Sequence, residues 1–331
     1  MNTAILILNF NNPSDTIACI KSVLEFNTAR IKIVVVDNAS PNKDGVVEIS
    51  NWMRDHFSFE YNEYSENECS DRALSKATFI LGEQNNGYAT GNNIGLKFIF
   101  KDTEIENVLV LNNDVLFVED VIPKLVEQLY LLPDAAIVSP LLRKKDGVEI
   151  DYNCARKDIS IFEVSLNFLT LKKSIFAFQK KSKDNRLLLK SNPQILDMNE
   201  FEIQLPSGSC MLLNARFFQD IGAFDPRTFL YYEENILHSK IEDRKKKAYL
   251  IPWLNCIHLG ASTISKHKRR YEFDKKCDRS VWIYVNEYSK VSILKKVFFN
   301  FSYHTYSSIR FLINNWKKIT VKEKVNDIST K

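Results

Sequence analysis

The sequence predicts an α/β protein with a doubly wound, mostly parallel β-sheet and flanking helices. Four short apolar runs in its N-terminal part are rich in β-branched side chains and show no polar alternation. Such continuous hydrophobicity is typical of strands that helices cover on both faces. Between the runs, apolar residues recur three or four positions apart, as in amphipathic helices. Strands and helices that alternate over such short connections form right-handed βαβ units, which build a doubly wound sheet.

The individual elements follow from these patterns in chain order. The predicted strands of this part are residues 4–8, 31–36, 78–81 and 108–111, and the predicted helices are 14–26, 45–57, 91–100 and 121–131. Pro13 and Asp120 stand just before two of these helices, as is typical of helix starts. Further strands are expected at 201–205, 210–213, 249–253 and 256–258, with a short helix at 214–221 that ends at Gly222. Between 141 and 200 the pattern weakens, which indicates an insertion or a variable acceptor-side region.

Charge is divided unevenly along the chain. Residues 266–331 hold 16 Lys and Arg against 6 Asp and Glu, whereas residues 1–265 hold 29 against 35. Apolar or neutral residues recur at 291, 294, 298, 301, 305, 309, 312 and 316, a spacing that predicts one or two helices. This helical basic C-terminal segment either lies on an anionic membrane surface or packs on the rest of the protein. No recognised nucleic-acid-binding motif accompanies the charge, so we expect no nucleic-acid partner.

Composition excludes several other classes. The 22 Phe, 13 Tyr and 4 Trp supply enough apolar surface to exclude a mainly disordered chain. The six cysteines include no CxxC pair, which argues against metal knuckles and redox motifs. The N-terminus lacks the pattern of a signal peptide, and no stretch reaches the roughly 20 apolar residues of a membrane span. We expect a cytoplasmic protein, with any membrane contact peripheral at the inner face of the plasma membrane.

Asn and Asp residues follow each of the first four predicted strands, at residues 9–12, 37–40, 85–93 and 112–114. Turn chemistry explains any one cluster, because Asn, Asp and Gly are favoured after strands. All four meet at the carboxyl edge of a parallel sheet, where open α/β sheets bind ligands. At that edge the Asp114 carboxylate can ligate a divalent cation that also holds a diphosphate. Asp37 can accept a hydrogen bond from a base imide, with Asn38 in support.

A set of motifs occurs in a fixed order: ILNFNN, VVVDNAS, NNGYATGNNIG, LNND, LPSGSCMLL, IGAFDPRTFLYYEEN and IHLGAS. Together they resemble the family 2 glycosyltransferases with the GT-A fold, especially the bacterial rhamnosyltransferase-like branch, over roughly residues 3–262. The resemblance implies inverting transfer from a UDP- or dTDP-sugar (rhamnose or hexose) to a hydroxyl of a bacterial cell-surface glycan such as O-antigen or capsule. It also implies a divalent cation, Mn²⁺ or Mg²⁺, and a lipid-linked oligosaccharide or glycan acceptor. The chain then divides into a catalytic domain at 1–265 and the basic segment at 266–331.

The resemblance, taken with the residue patterns, assigns individual sites. The expected nucleotide-sugar contacts are Asn9, Asn11, Asp37, Asn38, Asn85, Gly87, Asn93, Asn112 and Gly208. Asp114 matches the metal-binding acidic motif, and His258 matches a late histidine that contacts metal or diphosphate. A hydrogen-bonded structural histidine is the alternative for His258. Asp225 on the acceptor side either orients the acceptor or caps the next turn.

The catalytic base is expected in an acidic pair that follows an aromatic run. Inverting transfer needs a carboxylate to take the acceptor's hydroxyl proton. By the resemblance, Glu234 falls on the base position with Glu233 in reserve, whereas Ile236 stands where the family usually has a second acid. A Glu pair favoured by a helix N-terminus is the structural alternative.

Two other functions remain open. A nucleotide-sugar-binding pseudoenzyme is compatible with the departure at Ile236. A nucleotidyltransferase of related fold would need a glycine-rich, basic loop after the first strand, and ILNFNNPSD has neither Gly nor Lys or Arg.

Overall fold

The computed structural model describes residues 2–26, 30–68, 73–171, 184–260 and 271–329, with side chains described as far as residue 316. Its strands are β1 (Asn2–Asn9), β2 (Ile31–Asp37), β3 (Tyr61–Ser65), β4 (Ala77–Leu81), β5 (Ile105–Asn112), β6 (Val115–Phe117), β7 (Ala135–Arg143), β8 (Ala155–Arg156), β9 (Phe201–Ile203), β10 (Leu205–Pro206), β11 (Cys210–Asn214) and β12 (Lys247–His258). Its helices are α1 (Pro13–Phe26), α2 (Lys43–Phe57), α3 (Tyr88–Ile99), α4 (Ile122–Leu131), α5 (Ile161–Leu169), α6 (Leu188–Ser191), α7 (Ala215–Asp220), α8 (Glu233–Asp243), α9 (Tyr271–Ile283) and α10 (Ile293–Ser329).

One large sheet forms the centre of the molecule. Its strand order is β3-β4-β2-β1-β5-β11-β7-β12-β6, and β9 pairs with β12 beside this path. The strands from β3 to β5 in this order are parallel, while β11 runs antiparallel to both β5 and β7. The predicted fold class, a mostly parallel α/β sheet with flanking helices and a helical C-terminal segment, is confirmed.

The predicted elements of the N-terminal part are present, with small shifts at their ends. Helix α3 begins at Tyr88, three residues before the predicted start at Gly91, because its N-cap is Gly87. Strand β7 was not predicted, since Pro140 interrupts an apolar run in a way that is unusual inside a sheet. The 3₁₀ turn Tyr152–Cys154 and helices α5 and α6 occupy part of the predicted variable region, while its residues 172–183 lie outside the described residues.

A second apolar cluster lies beside the sheet core. It joins α5, α8, α9 and α10 through residues that include Phe168, Ile236, Val281 and Phe299. The predicted domain boundary at residue 265 lies outside the described residues. The chain after this boundary contacts the chain before it, since the Phe229 amide donates to Ser280 Oγ at 3.1 Å. No helix among the described residues is both long and apolar enough to cross a bilayer.

Candidate functional site

The ends of β1 and β2 hold the Asp37 carboxylate in a fixed position. Asn9 and Asp37 are partners in the β1–β2 register, and Asn9 Nδ2 donates to Asp37 Oδ1 at 2.7 Å. The Ser40 amide donates to Asp37 Oδ2 at 2.9 Å, and the Asn11 amide donates to Ser40 Oγ at 2.7 Å. The remaining groups of the Asn9 amide pair with neighbours that include Thr16. Asn9 is therefore placed to position Asp37, while Asn11 is exposed.

Asn38 lies between this edge and the loop that precedes α3. Its Nδ2 donates to Asn85 Oδ1 and to the Gly87 carbonyl, both at 3.2 Å. Among the described residues no hydrogen bond reaches its buried Oδ1. A buried acceptor without a partner is destabilising, so this oxygen is a candidate contact for a donor group on a ligand.

The loop before α3 packs directly against the segment that leads to the acidic pair. Gly87 has φ +94°, and a Cβ built on it would lie 1.9 Å from the Phe229 carbonyl oxygen. The next amide, of Tyr88, donates to the same oxygen at 2.9 Å. Glycine is required here because only its backbone combines this dihedral with so close an approach. Asn93 links the same helix to Phe224, through hydrogen bonds of 2.9 and 3.3 Å to its backbone.

Asp114 and His258 are brought together at the end of the sheet. His258 Nε2 lies 3.5 Å from Asp114 Oδ1, and its Nδ1 lies 2.8 Å from Asp151 Oδ2. Ser209 Oγ lies 3.4 Å from the same Nε2, and the Ser209 carbonyl accepts from the Asn112 amide at 2.8 Å. The arrangement matches a carboxylate that orients a histidine so that its other nitrogen faces a ligand.

The two carboxylates dominate the electrostatics of His258. Burial alone would lower the pKa of the imidazole, but the paired Asp114 and Asp151 raise it to about 9. Burial likewise opposes ionisation of Asp151, but hydrogen bonds from His258 and Asn153 lower its pKa to about 2. Without a cation the imidazole is therefore protonated at neutral pH and lies between two carboxylates, and a bound metal ion would have to displace that proton.

The donor set fits a divalent cation that has further ligands outside the protein. Asp114 Oδ1 is buried and has no hydrogen-bond partner among the described residues, so one carboxylate oxygen is available. The imidazole Nε2 beside it becomes a second candidate ligand once it has lost its proton, because only a neutral imidazole binds a metal. Within the described ranges no group of three or more His, Cys, Asp or Glu could hold a metal ion. Water and phosphate oxygens would have to complete the shell, as they commonly do for Mg²⁺.

Glu234 contacts the β10–β11 turn at Gly208, the residue before Ser209. The Gly208 amide donates to Glu234 Oε1 at 3.1 Å, and Arg156 Nη2 lies 3.3 Å from the same oxygen. A Cβ at Gly208 would lie 3.1 Å from that oxygen and 3.1 Å from the Tyr88 hydroxyl. Gly208 and Ser209 are adjacent residues, and they connect the Glu234 carboxylate to the Asp114–His258 pair.

Glu233 is far less accessible than its neighbour. Its side chain is buried, and no described residue hydrogen-bonds to its Oε1. Burial, followed by the charge of Glu234, raises the pKa of Glu233 above its usual range. Tyr231 and Tyr232 before it both have left-handed backbone, with φ of 68° and 69°. Non-glycine residues adopt this conformation rarely and often near functional sites.

The tertiary packing explains the departure at Ile236. Its side chain is buried in the second apolar cluster with Phe168 and Val281, where an acid would have no partner. Asn235 Nδ2 instead donates to Asp158 Oδ1 at 2.6 Å. Gly208 and Arg156, rather than a second acid on α8, therefore orient Glu234.

Asp225 is engaged in a structural network. Arg227 Nη2 donates to Asp225 Oδ2 at 2.6 Å, and the Tyr288 hydroxyl donates to the same oxygen at 2.8 Å. The Arg227 amide donates to Oδ1 at 2.9 Å, and the Asp225 carbonyl accepts from the Thr228 hydroxyl. These contacts favour the turn-capping alternative over orientation of an acceptor.

Comparison with known proteins identifies the family. Residues 4–222 match the model of Glycosyl transferase family 2. The chain belongs to glycosyl transferase family 2. This match confirms the resemblance to family 2 glycosyltransferases that the ordered motifs indicate.

Among curated relatives of this family 2 protein is the low-salt glycan biosynthesis hexosyltransferase Agl10 of Haloferax volcanii. It is 24% identical over 234 residues, which cover 70% of this chain and 58% of the relative. Among solved structures, GalNAc-T7 with UDP, GalNAc and Mn²⁺ has a TM-score of 0.54 at 14% identity, over 92% of this chain and 54% of that one. S. aureus TarS 1–349 has a TM-score of 0.50 at 11% identity, over 93% and 73%. These structures establish likeness of fold.

Sequence reasoning missed three residues of this candidate site, Tyr88, Asp151 and Arg156. Asp151 lies in the weakly patterned region, far in sequence from the histidine that it orients. Arg156 has no motif around it, and only the short β8–β10 pairing brings it to Glu234. Tyr88 stands inside the recognised NNGYATGNNIG loop, and its hydroxyl donates to the Gly208 carbonyl at 2.7 Å. Its position in that motif was the one signal available.

Proposed function

We propose that the protein is an inverting glycosyltransferase that moves rhamnose or a hexose from a UDP- or dTDP-sugar to a hydroxyl of a bacterial cell-surface glycan. The observation that carries this proposal is the turn at Gly208 and Ser209. Glu234 accepts from the Gly208 amide, and His258, which pairs with Asp114, contacts the hydroxyl of the next residue, Ser209. Inversion requires a carboxylate that accepts the acceptor's proton on one side of the donor sugar. It also requires a site for the leaving diphosphate on the other side of that sugar.

Asp114 and His258 would hold Mn²⁺ or Mg²⁺. When bound, the cation supplies positive charge that stabilises a leaving nucleoside diphosphate. Asp151 orients His258, and Asn9 positions Asp37, whose carboxylate faces the nucleotide edge of the sheet. The likeness to a structure with UDP and Mn²⁺ supports this assignment of the donor side.

Glu234 is the proposed general base. Oε1 is held by the Gly208 amide and Arg156, while no described residue bonds to Oε2, which is therefore available to an acceptor hydroxyl. Its side chain is 19% exposed, whereas that of Glu233 is buried. Removal of the hydroxyl proton as the oxygen attacks accounts for a factor of about 10²–10⁴ in rate.

The acceptor is proposed to be a lipid-linked oligosaccharide or glycan. The curated relative acts in glycan biosynthesis, and this chain spans 58% of that relative's length. O-antigen and capsule are the acceptor classes that the motif resemblance favours.

Turnover of a panel of UDP- and dTDP-sugars with Mn²⁺ tests the proposal. Glu234→Gln should lower transfer by at least about 10²-fold while leaving UDP affinity within about twofold. Glu242→Gln is the matched control, because Glu242 is an exposed residue of the same helix that pairs with Lys290. Asp114→Asn should weaken UDP binding in Mn²⁺ and leave the metal-free affinity unchanged. Nucleotide binding without turnover in the wild type would indicate a pseudoenzyme instead.

The C-terminal helix is proposed to rest on an anionic membrane surface. Leu294, Phe301, Leu312 and Trp316 are each more than 60% exposed, and they follow one another at helical spacing. The face that packs on the protein is a different one, which includes Phe299 and Tyr306. The net charge of residues 266–331 complements anionic lipid.

Several of the described cations in and just before this helix are engaged within the protein. Lys290 pairs with Glu242 and Asp243, and Arg310 pairs with Asp274. Lys296 donates to the Asn286 carbonyl. Apolar burial rather than these charges would therefore supply most of the affinity, while the side chains of Lys317 and Lys318 lie beyond those described.

A further inference from the structure

A cavity of about 460 Å³ opens beside the proposed base. Its wall includes Arg156, Lys157, Arg186, Tyr231 and Glu234. Three of these side chains are cationic, and Glu234 is the single carboxylate among the five.

The three cations come from two segments that pair with each other. Arg156 forms an isolated bridge with Leu187, and the Lys157 amide donates to the Arg186 carbonyl at 2.9 Å. This backbone pairing places the basic residues at the end of β8 opposite Arg186 at one wall of the cavity. The backbone pairing therefore fixes where the three cations start, with Arg156 and Arg186 half-buried and Lys157 exposed.

Two buried donors of these cations have no acceptor among the described residues. Arg156 Nε and Arg186 Nε are buried, and no described residue accepts a hydrogen bond from either. Within the described ranges, no carboxylate pairs with Lys157 or Arg186, while Arg156 Nη2 lies 3.3 Å from Glu234 Oε1 and donates to the Pro206 carbonyl at 3.3 Å. A buried N–H without an acceptor is destabilising, and the guanidinium fork matches an oxyanion in shape and charge.

The leaving diphosphate of the donor is not the anion that these cations face. The proposed diphosphate site is Asp114 and His258, and neither residue lines the cavity. Glu234 does line the cavity. The acceptor hydroxyl must reach Glu234, so the cavity belongs to the acceptor.

We propose that the cavity binds an acceptor that carries an oxyanion, a phosphate or a carboxylate, close to its reacting hydroxyl. Lys157 and Arg186 bind the oxyanion, and Arg156 is shared between it and Glu234. The exposed ring of Tyr231 offers an apolar surface with a polar tip to the adjoining sugar. This assignment of acceptor chemistry rests on the proposed glycosyl transfer at Glu234.

The test measures, by titration calorimetry, how tightly small probes bind to the full chain in the presence of Mn²⁺ and saturating UDP. Glucose 1-phosphate tests a phosphate, glucuronate a carboxylate, and methyl glucoside is the neutral reference. Inorganic phosphate separates recognition of the anion alone from recognition of a phosphosugar. We expect at least one anionic sugar to bind at least about tenfold more tightly than methyl glucoside, and its affinity to fall as salt rises.

Removal of a positive charge from the cavity should weaken binding of the anionic probe and leave binding of the neutral probe unchanged. Arg186→Gln and Lys157→Gln should each lower its affinity about 5- to 20-fold, while Arg186→Lys retains part of it. Lys190→Gln is the matched control, since Lys190 is a neighbouring exposed cation outside the cavity that pairs with Asp184. Melting temperatures within about 2 °C of the wild type would show that the variants are folded.

Four outcomes would overturn the proposal. They are equal affinity for charged and neutral probes, no effect of Arg186→Gln, an anionic probe that binds without UDP but not at saturating UDP, and no binding of any anion to the wild type. Failure of UDP itself to bind would instead overturn the proposed function. The same titrations without UDP would then decide whether the cavity binds an oxyanion.

Discussion

Asp151 contributes to the site as a single side chain without a motif. Its Oδ2 lies 2.8 Å from His258 Nδ1, which leaves Nε2 facing Asp114. Removal of a carboxylate that orients a metal-binding histidine typically weakens metal affinity about 10–100-fold. We expect Asp151→Ala to weaken Mn²⁺-dependent UDP binding by about that factor in equilibrium titrations.

A nearby carboxylate provides the control for this prediction. Asp146 accepts hydrogen bonds from the Val148 and Glu149 amides rather than from His258. Asp146→Ala should leave the Mn²⁺ dependence unchanged. Equal losses in both variants would attribute the effect to the loop rather than to the histidine.

Asp225 gives a pH-dependent contribution to stability. Burial would raise its pKa, but hydrogen bonds from Arg227 and Tyr288 lower it to about 2. A lowered pKa stabilises the folded state above the unfolded-state value of about 3.9, and this contribution is lost as the pH falls towards 2. Asp225→Asn should therefore lower the free energy of unfolding by about 1–2 kcal/mol at pH 6, allowing for the half-exposed Arg227.

Urea unfolding between pH 2.5 and 6 measures this contribution. The difference between Asp225→Asn and the wild type should shrink below pH 4. The exposed Asp220, changed to Asn, should alter stability little at either end of the range. A difference for Asp225→Asn that stays constant with pH would refute the ion-pair explanation.

Gly87 combines two constraints that can be separated. An alanine at this position would have to adopt a positive φ, and its Cβ would lie 1.9 Å from the Phe229 carbonyl oxygen. Gly147 also has a positive φ, +70°, but its nearest neighbour is a side-chain atom at 3.6 Å. We expect Gly147→Ala to cost about 1 kcal/mol from backbone strain and Gly87→Ala at least about 3 kcal/mol. Chemical denaturation checks both values, and similar losses would contradict the close approach.

At the scale of elements, α8 has one face towards the cavity and another in the second apolar cluster. Glu234 lies on the first face and Ile236 on the second. An acid at residue 236 would be buried among apolar side chains of α5, α9 and α10. The acidic pattern usual in the family is thus incompatible with the packing of the C-terminal helices in this chain.

Restoring that acid should therefore harm the protein. Ile236→Asp is expected to lower the free energy of unfolding by at least about 3 kcal/mol, because a buried carboxyl without a partner replaces apolar contacts. Ile236→Val, which keeps the site apolar, should cost about 1 kcal/mol. Denaturation and turnover should be measured together, and a stable Ile236→Asp variant with faster transfer would disprove this interpretation.

At the scale of the whole molecule, the segment from Tyr271 onwards serves both the site and the surface. Tyr288 holds Asp225, and Ser280 accepts from the Phe229 amide just before the acidic pair. Deletion of the segment would therefore remove support from the site as well as any membrane contact. Substitutions on the exposed stripe of α10 give a cleaner test.

The triple variant Leu294→Ser, Phe301→Ser and Leu312→Ser should bind anionic liposomes at least about tenfold more weakly than the wild type, as measured by co-sedimentation. Phe59→Ser is the control, because Phe59 is 95% exposed outside α10. Unchanged liposome binding would refute the membrane proposal. A concentration-dependent dimer in lipid-free ultracentrifugation that the triple variant abolishes would assign the stripe to a second copy of the chain.

The sequence by itself determined the βαβ order and the residues that end the first strands, because both follow from local hydrophobic periodicity and turn chemistry. It also placed Asp114, His258 and Glu234 through ordered motifs, and the structure brings the first two together. Other features depend on contacts between residues remote in sequence, including the support of His258 by Asp151 and the convergence of Arg156, Lys157 and Arg186. Only the tertiary structure decided these, because no local pattern encodes which distant segments pack against one another.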